Sequence, residues 1–96
     1  MWWVYLVRCR GGEIYTGIST DVARRVAAHN AGRGSKSLRG RLPVTVVYQE
    51  KSRDRSEAQK REAEIKRWPR PRKLALVRGS AARKARLRLS RPRTTR

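Results

Sequence analysis

At 96 residues the chain has room for one domain with a thin core, since a chain this short buries only about 60–65% of its unfolded surface. Its 26 Lys and Arg against 7 Asp and Glu leave a formal net charge of +19, and 20 of those cations are Arg, whose planar fork suits phosphate, so nucleic acid is the expected partner. Cys9 is the single cysteine, which excludes an internal disulfide and a cysteine-based zinc site and fits a reducing, cytoplasmic compartment. The longest apolar run, residues 2–7, is too short for a membrane span or the apolar core of a signal peptide, and no membrane partner is expected.

Residues 2–9 are rich in β-branched, aromatic and aliphatic side chains, and residues 13–18 resume that pattern after Gly11-Gly12, which predicts a hairpin. A two-residue Gly-Gly loop would pair Arg10 with Glu13 and put Tyr5 and Tyr15 on opposite faces. A three-residue loop, Arg10-Gly11-Gly12 with Gly12 left-handed, pairs Cys9 with Glu13 and sets Tyr5 opposite Gly17. Tyr15 then shares a face with Tyr5, because strand side chains alternate with a period of two. The second loop is expected because it lets the tyrosines converge.

Ser19, Thr20 and Asp21 all offer N-caps for a helix over residues 21–31 that stops at Gly32. Val22 and Val26 mark its buried stripe, helped by Ala23 and Ala27. Residues 32–41 read as a loop dense in Gly, Ser and basic residues. After Pro43, residues 44–48 predict a third strand. Ser52 or Asp54 caps a second helix reaching about residue 67, and past Pro69 and Pro71 a shorter helix covers about residues 72–78. The expected fold is α/β: a three-stranded, mainly antiparallel sheet flanked by two main helices and a short third. Residues 80–96 form a basic tail with no acid, expected to be disordered when free, which leaves 1–79 as the folded domain.

Helical spacing puts Arg25 and His29, four residues apart, on one face. His29 is the only histidine, and taken alone a histidine here is more often structural than catalytic. In the second helix Ala58, Glu62 and Ile65 follow at i, i+4 and i+7, so Glu62 is expected along the inward stripe. A carboxylate there is costly unless paired or metal-bound, which leaves a metal ligand or a salt bridge to a nearby Arg. Glu64 falls away from that stripe.

Taken together, these spacings resemble the GIY-YIG nuclease superfamily. Trp3-Val4-Tyr5 stands ten residues before Tyr15-Thr16-Gly17, like the paired motifs of that family, with Trp3 and Val4 in place of its Gly and Ile. Arg25, His29 and Glu62 fall where the family keeps a helix-borne Arg, a frequent Tyr or His, and a metal-binding Glu. The segments Gly32-Arg33-Gly34-Ser35-Lys36 and Leu38-Arg39-Gly40 resemble the small single-domain bacterial members. Some members also use a late Asn, which is missing here because the only Asn is Asn30.

The resemblance implies a metal-dependent endonuclease that hydrolyses phosphodiester bonds in DNA, structure-selective or weakly sequence-specific. The alternative is a module of the same fold that binds DNA or RNA without cutting. It implies one Mg²⁺ or Mn²⁺ held by Glu62 and water, with Arg25 on a nonbridging phosphate oxygen. One of Tyr5 and Tyr15 takes a proton from the attacking water while the other orients water or phosphate, and His29 either relays the proton or holds a tyrosine in place. Arg24, Lys36 and Arg39 are the expected backbone contacts. DNA ranks ahead of RNA as partner, and a protein partner could supply target choice.

Overall fold

The hairpin closes through the three-residue loop. In the computed structural model, which describes residues 1–79, the Cys9 N–H donates to the Glu13 carbonyl at 2.8 Å and the Gly12 N–H to the Cys9 carbonyl at 2.9 Å. Gly12 has φ +96°, a left-handed conformation that only glycine adopts without strain. The expected tail, residues 80–96, lies outside the described residues.

Strand β1 (Trp2–Arg8) pairs antiparallel with β2 (Ile14–Ser19), with Tyr5 opposite Gly17 and Val7 opposite Tyr15. Strand β3 (Thr45–Ser52) pairs antiparallel with the other side of β1, giving the order β2-β1-β3. This strand is longer than residues 44–48 because its polar half, Gln49 to Ser52, is held by backbone pairing with β1 rather than by apolar side chains. As the central strand, β1 is covered on both faces, which is why Val4, Tyr5, Leu6 and Val7 are all buried.

Each face of the sheet has its own core. On one, Tyr5, Val7 and Cys9 meet Val22 and Val26 of helix α1 (Val22–Asn30), with Leu38 and Val44. On the other, Val4 and Leu6 meet Ala58 and Ile65 of helix α2 (Arg55–Lys66) and Val77. Of the candidate caps, Asp21 accepts from the Arg24 N–H at 3.0 Å and Asp54 from the Glu57 N–H at 2.9 Å. Residues 70–79 are helical, starting two residues earlier than expected, because Pro71 sits in the first turn, where its missing N–H has no helical partner to lose.

Two local expectations need correction. Ala23 and Ala27 are exposed; the third member of the α1 stripe is His29, at i+7 from Val22. The stretch read as a loop contains a 3-10 helix, Lys36–Arg41, because Leu38 plugs into the core and Ser35 caps the turn by accepting from the Ser37 N–H. Asn30, unassigned from sequence, clamps the end of α1 to the approach of β3: its Oδ1 accepts from the Val44 N–H at 2.7 Å and its Nδ2 donates to the Val44 carbonyl at 3.0 Å.

The rotation of α2 is set by Arg61, whose Nε donates to Glu50 of β3 at 2.9 Å and whose guanidinium also covers the Trp68 ring. Tyr48 donates to the same carboxylate at 2.6 Å, and burial followed by that acceptor pushes its phenol up to about 12. Ile65 has no solvent exposure, so Ile65→Ala should cost about 2–5 kcal/mol of unfolding free energy. Urea denaturation checks this; Ala23→Ser, at an exposed position, should change stability by less than about 0.5 kcal/mol.

Candidate active site

The register that sets Tyr5 opposite Gly17 also lays the phenol across that glycine. A methyl group on Gly17 would stand 2.6 Å from Tyr5 Oη and 2.7 Å from Cζ, so any larger residue there would displace the ring. The hydroxyl then meets helix α1, where Tyr5 Oη lies 3.1 Å from Nε2 of His29 inside the core. Both residues are 1% exposed. On the far side of the imidazole, the Ser35 N–H donates to Nδ1 at 3.2 Å. Gly34 lies against the same edge of the ring, so close that a Cβ there would overlap Nδ1. Each partner of the Tyr5–His29 pair therefore rests on a glycine.

The other expected residues gather around this pair. Burial pushes the Tyr5 phenol above its usual range and Tyr15 adds to the shift; the neighbouring Arg25 guanidinium lowers it, and Glu62 raises it. Tyr15 presents its ring edge-on to His29, with centroids 6.0 Å apart. Lys66 Nζ stands 5.9 Å from the Tyr15 ring centroid and 3.3 Å from Glu62 Oε2. Tyr5, Tyr15, Arg25, His29 and Glu62 are thus brought to one place, at the β2 edge of the sheet between α1 and α2.

Glu62 does not sit on the buried stripe as expected. Ala58 and Ile65 occupy it, and at 3.6 residues per turn Glu62 lies about 40° to the side of Ala58. Its side chain keeps 21% exposure, and its partner is Lys66 rather than an Arg. Lys66 and the Gly34-Ser35 turn are the site residues that sequence reasoning missed. An i,i+4 Glu-Lys pair was the available signal for Lys66, but such pairs are common on solvated helix faces.

Among the described residues no group of three or more His, Cys, Asp or Glu gathers around a metal position. Glu62 is the carboxylate whose charge reaches Tyr5, a hard oxygen donor at a wettable margin. That fits Mg²⁺ or Mn²⁺, which keep several waters and draw ligands from substrate phosphate, and does not fit an ion caged by protein alone.

Arg24 is exposed and, with Arg25, Ser19, Thr20, Asp21 and Ala28, lines a shallow cavity of about 210 Å³ at the start of α1. Lys36 and Arg39 are exposed on the 3-10 helix that follows Ser35. Arg24 thus lies on α1, and Lys36 and Arg39 on the segment whose start contacts His29.

Residues 1–75 match the GIY-YIG catalytic domain family. The chain belongs to the GIY-YIG family. A UPF0213 protein of Desulfotalea psychrophila is 50% identical over 80 residues, spanning 82% of this chain and 73% of that protein. A UPF0213 protein of Staphylococcus haemolyticus is 47% identical over 75 residues, spanning 78% and 92%. The solution NMR structure of a UPF0213 protein from Bacillus halodurans, 40% identical, superposes with a TM-score of 0.52 over 80% of this chain and 83% of that one. The expected α/β fold of a GIY-YIG domain therefore stands, and the domain is of nuclease type. In this GIY-YIG domain the ten-residue spacing of the two tyrosines is the spacing that a three-residue hairpin loop converts into a shared face. No helix among the described residues is long and apolar enough to cross a membrane.

Burial, followed by the charge of Arg25, holds the His29 pKa below its ordinary value. The unfolded chain therefore binds more protons than the folded one as pH falls below about 6.5, so the stability contributed by neutral His29 is present above that pH and lost below it. Thermal melts between about pH 7.5 and pH 5.5 should show Tm falling with pH, and His29→Gln should flatten that dependence.

Proposed function

We propose that this GIY-YIG domain is a metal-dependent endonuclease that hydrolyses phosphodiester bonds in DNA. The observation that carries the reading is the convergence of two tyrosines, a buried histidine, an arginine and a half-buried glutamate at one sheet edge. Pure binding of a polyanion has no use for a carboxylate facing the phosphate, whereas hydrolysis has.

Arg25 binds a nonbridging oxygen of the scissile phosphate and stabilises the charge that develops there. Tyr5, ionised, takes the proton from the attacking water. The Arg25 guanidinium favours its phenolate against burial, which opposes it. Tyr15, half-buried beside them, orients the water or the phosphate. His29, with both ring nitrogens already in hydrogen bonds, holds Tyr5 in place. Glu62, with Lys66 released from it, would hold Mg²⁺ or Mn²⁺, which supplies Lewis-acid stabilisation of the leaving oxygen. Burial raises the Tyr5 phenol most, Tyr15 next and Glu62 least, so neutralising this carboxylate removes only the smallest obstacle to forming the base.

Arg24, Lys36 and Arg39 serve as backbone contacts, which position a strand without reading its sequence. With no separate sequence-reading module in the domain, cutting is structure-selective or weakly sequence-specific, and target choice falls to a protein partner. The domain spans residues 1–79, and the basic arm 80–96 adds nonspecific affinity.

Labelled single-stranded, duplex and branched DNA, incubated with Mg²⁺ or EDTA, provides the test. Cutting should need the metal and vanish in Glu62→Gln with DNA binding retained. Tyr5→Phe should lower kcat by about 10²–10⁴-fold and Arg25→Ala by about 10²–10³-fold. Because a base with a raised pKa gains its active form as pH rises, the wild-type rate should climb through the alkaline range. The residual rate of Tyr5→Phe should not. The Glu62–Lys66 ion pair favours a second reading, a binding module whose glutamate is simply neutralised. Tight binding with no cutting of any substrate would establish that reading instead.

A further inference from the structure

His29 is held at both ring nitrogens, and the two hydrogen bonds are not equivalent. The partner at Nδ1 is the main-chain N–H of Ser35, at 3.2 Å, which can only donate. Nδ1 therefore carries the lone pair, and the proton of the neutral ring sits on Nε2. The bond at 3.1 Å then runs from His29 to Tyr5 Oη. Tyr5 receives a hydrogen bond there and keeps its own proton free for another partner. In the opposite tautomer, Nε2 would present a lone pair and Tyr5 would spend its proton on the ring. A phenolate on Tyr5 would then face that lone pair, which disfavours it.

The residue that decides between these arrangements belongs to a segment with other duties. Ser35 has φ −61° and ψ 135°, and its side chain caps the 3-10 helix that carries Lys36 and Arg39. Leu38 anchors that helix in the core that contains Tyr5. Gly34 gives the turn its close approach to the imidazole.

We propose that the Ser35 main-chain N–H is a positioning group that fixes the tautomer of His29, and through it the direction of the His29–Tyr5 hydrogen bond, so that the segment contacting the nucleic-acid backbone also prepares Tyr5 as a proton acceptor. The tautomer assignment stands on geometry alone; its consequence for cutting rests on the nuclease reading above.

Because His29 is the only histidine, the imidazole ¹⁵N spectrum of the full chain labelled with ¹⁵N-histidine reports this ring without ambiguity. At a pH where the ring is neutral, the wild type should show a protonated Nε2 and an unprotonated Nδ1. Ser35→Pro removes the N–H while keeping φ close to proline's preferred value of about −65°. The Nδ1–H form should then become populated. Ser35→Ala keeps the N–H and loses only the side-chain cap, so its spectrum should match the wild type. Cutting should fall about ten- to hundredfold in Ser35→Pro, the worth of one hydrogen bond to an ionised group, with DNA binding retained, and by more than in Ser35→Ala, which loses only the cap.

An Nδ1–H tautomer in the wild type overturns the proposal, as does an unchanged spectrum in Ser35→Pro. Equal loss of cutting in Ser35→Ala and Ser35→Pro overturns the link to Tyr5. Should Ser35→Pro fail to fold, the wild-type and Ser35→Ala spectra still decide the tautomer. If the wild type cuts nothing yet the spectra behave as described, the nuclease reading fails and the tautomer assignment holds.

Discussion

The Tyr5 ring lies across Gly17, and that one contact constrains the rest of the molecule. It exists only because the hairpin turns through three residues, which pairs Cys9 with Glu13 and carries Tyr5 to its place opposite the glycine. A register one residue different would send Tyr15 to the other face of the sheet, and with it every side chain of β2. Because β1 is also the central strand, the ring is fixed from both sides by backbone pairing. His29 in turn fills the third position of the α1 stripe, so the pair that stands at the centre of the candidate chemistry is also part of the core.

Charge plays a different part. All seven acidic residues of the chain lie within the described residues, and each has a partner or a cap to serve. Asp21 and Asp54 cap helices; Glu13, Glu50, Glu57, Glu62 and Glu64 meet Arg or Lys. Most of these pairs are exposed and contribute only about 0–1 kcal/mol each. Among the described residues the cations far outnumber the acids and leave the surface strongly positive, which suits a polyanion and does little for folding. Glu62 stands apart from the other acids in its setting: it is the carboxylate that raises the Tyr5 phenol, and its neighbour Lys66 also covers Tyr15.

Much of this was legible in the sequence, for local reasons. Gly11-Gly12 specified the turn, Asp21 and Asp54 were among the candidate caps, and the 3.6-residue period put Arg25 and His29 on one helix. The boundaries that were misplaced are those where local pattern and tertiary contact disagree. Residues 49–52 look too polar for a strand, yet β1 supplies their hydrogen-bond partners. Ala23 and Ala27 look apolar enough to be buried, yet they turn to solvent because a polar ring takes the third position in the stripe.

The sequence by itself determined the main strands and helices, two candidate hairpin registers, the family resemblance and the excess of positive charge, since each depends on residues close together in the chain or on a simple count. Only the tertiary structure decided that His29 is enclosed against Tyr5, that Ser35 closes its other nitrogen, that Glu62 sits at the margin of its stripe beside Lys66, and that Asn30 ties α1 to β3. A hydrogen bond between residues 24 apart depends on how α1 is seated on the sheet, and that seating is fixed by packing against Val7, Leu38 and Val44. Spacing along the chain carries no information about it, because periodicity gives the direction of a side chain within its own element and never the identity of what it meets.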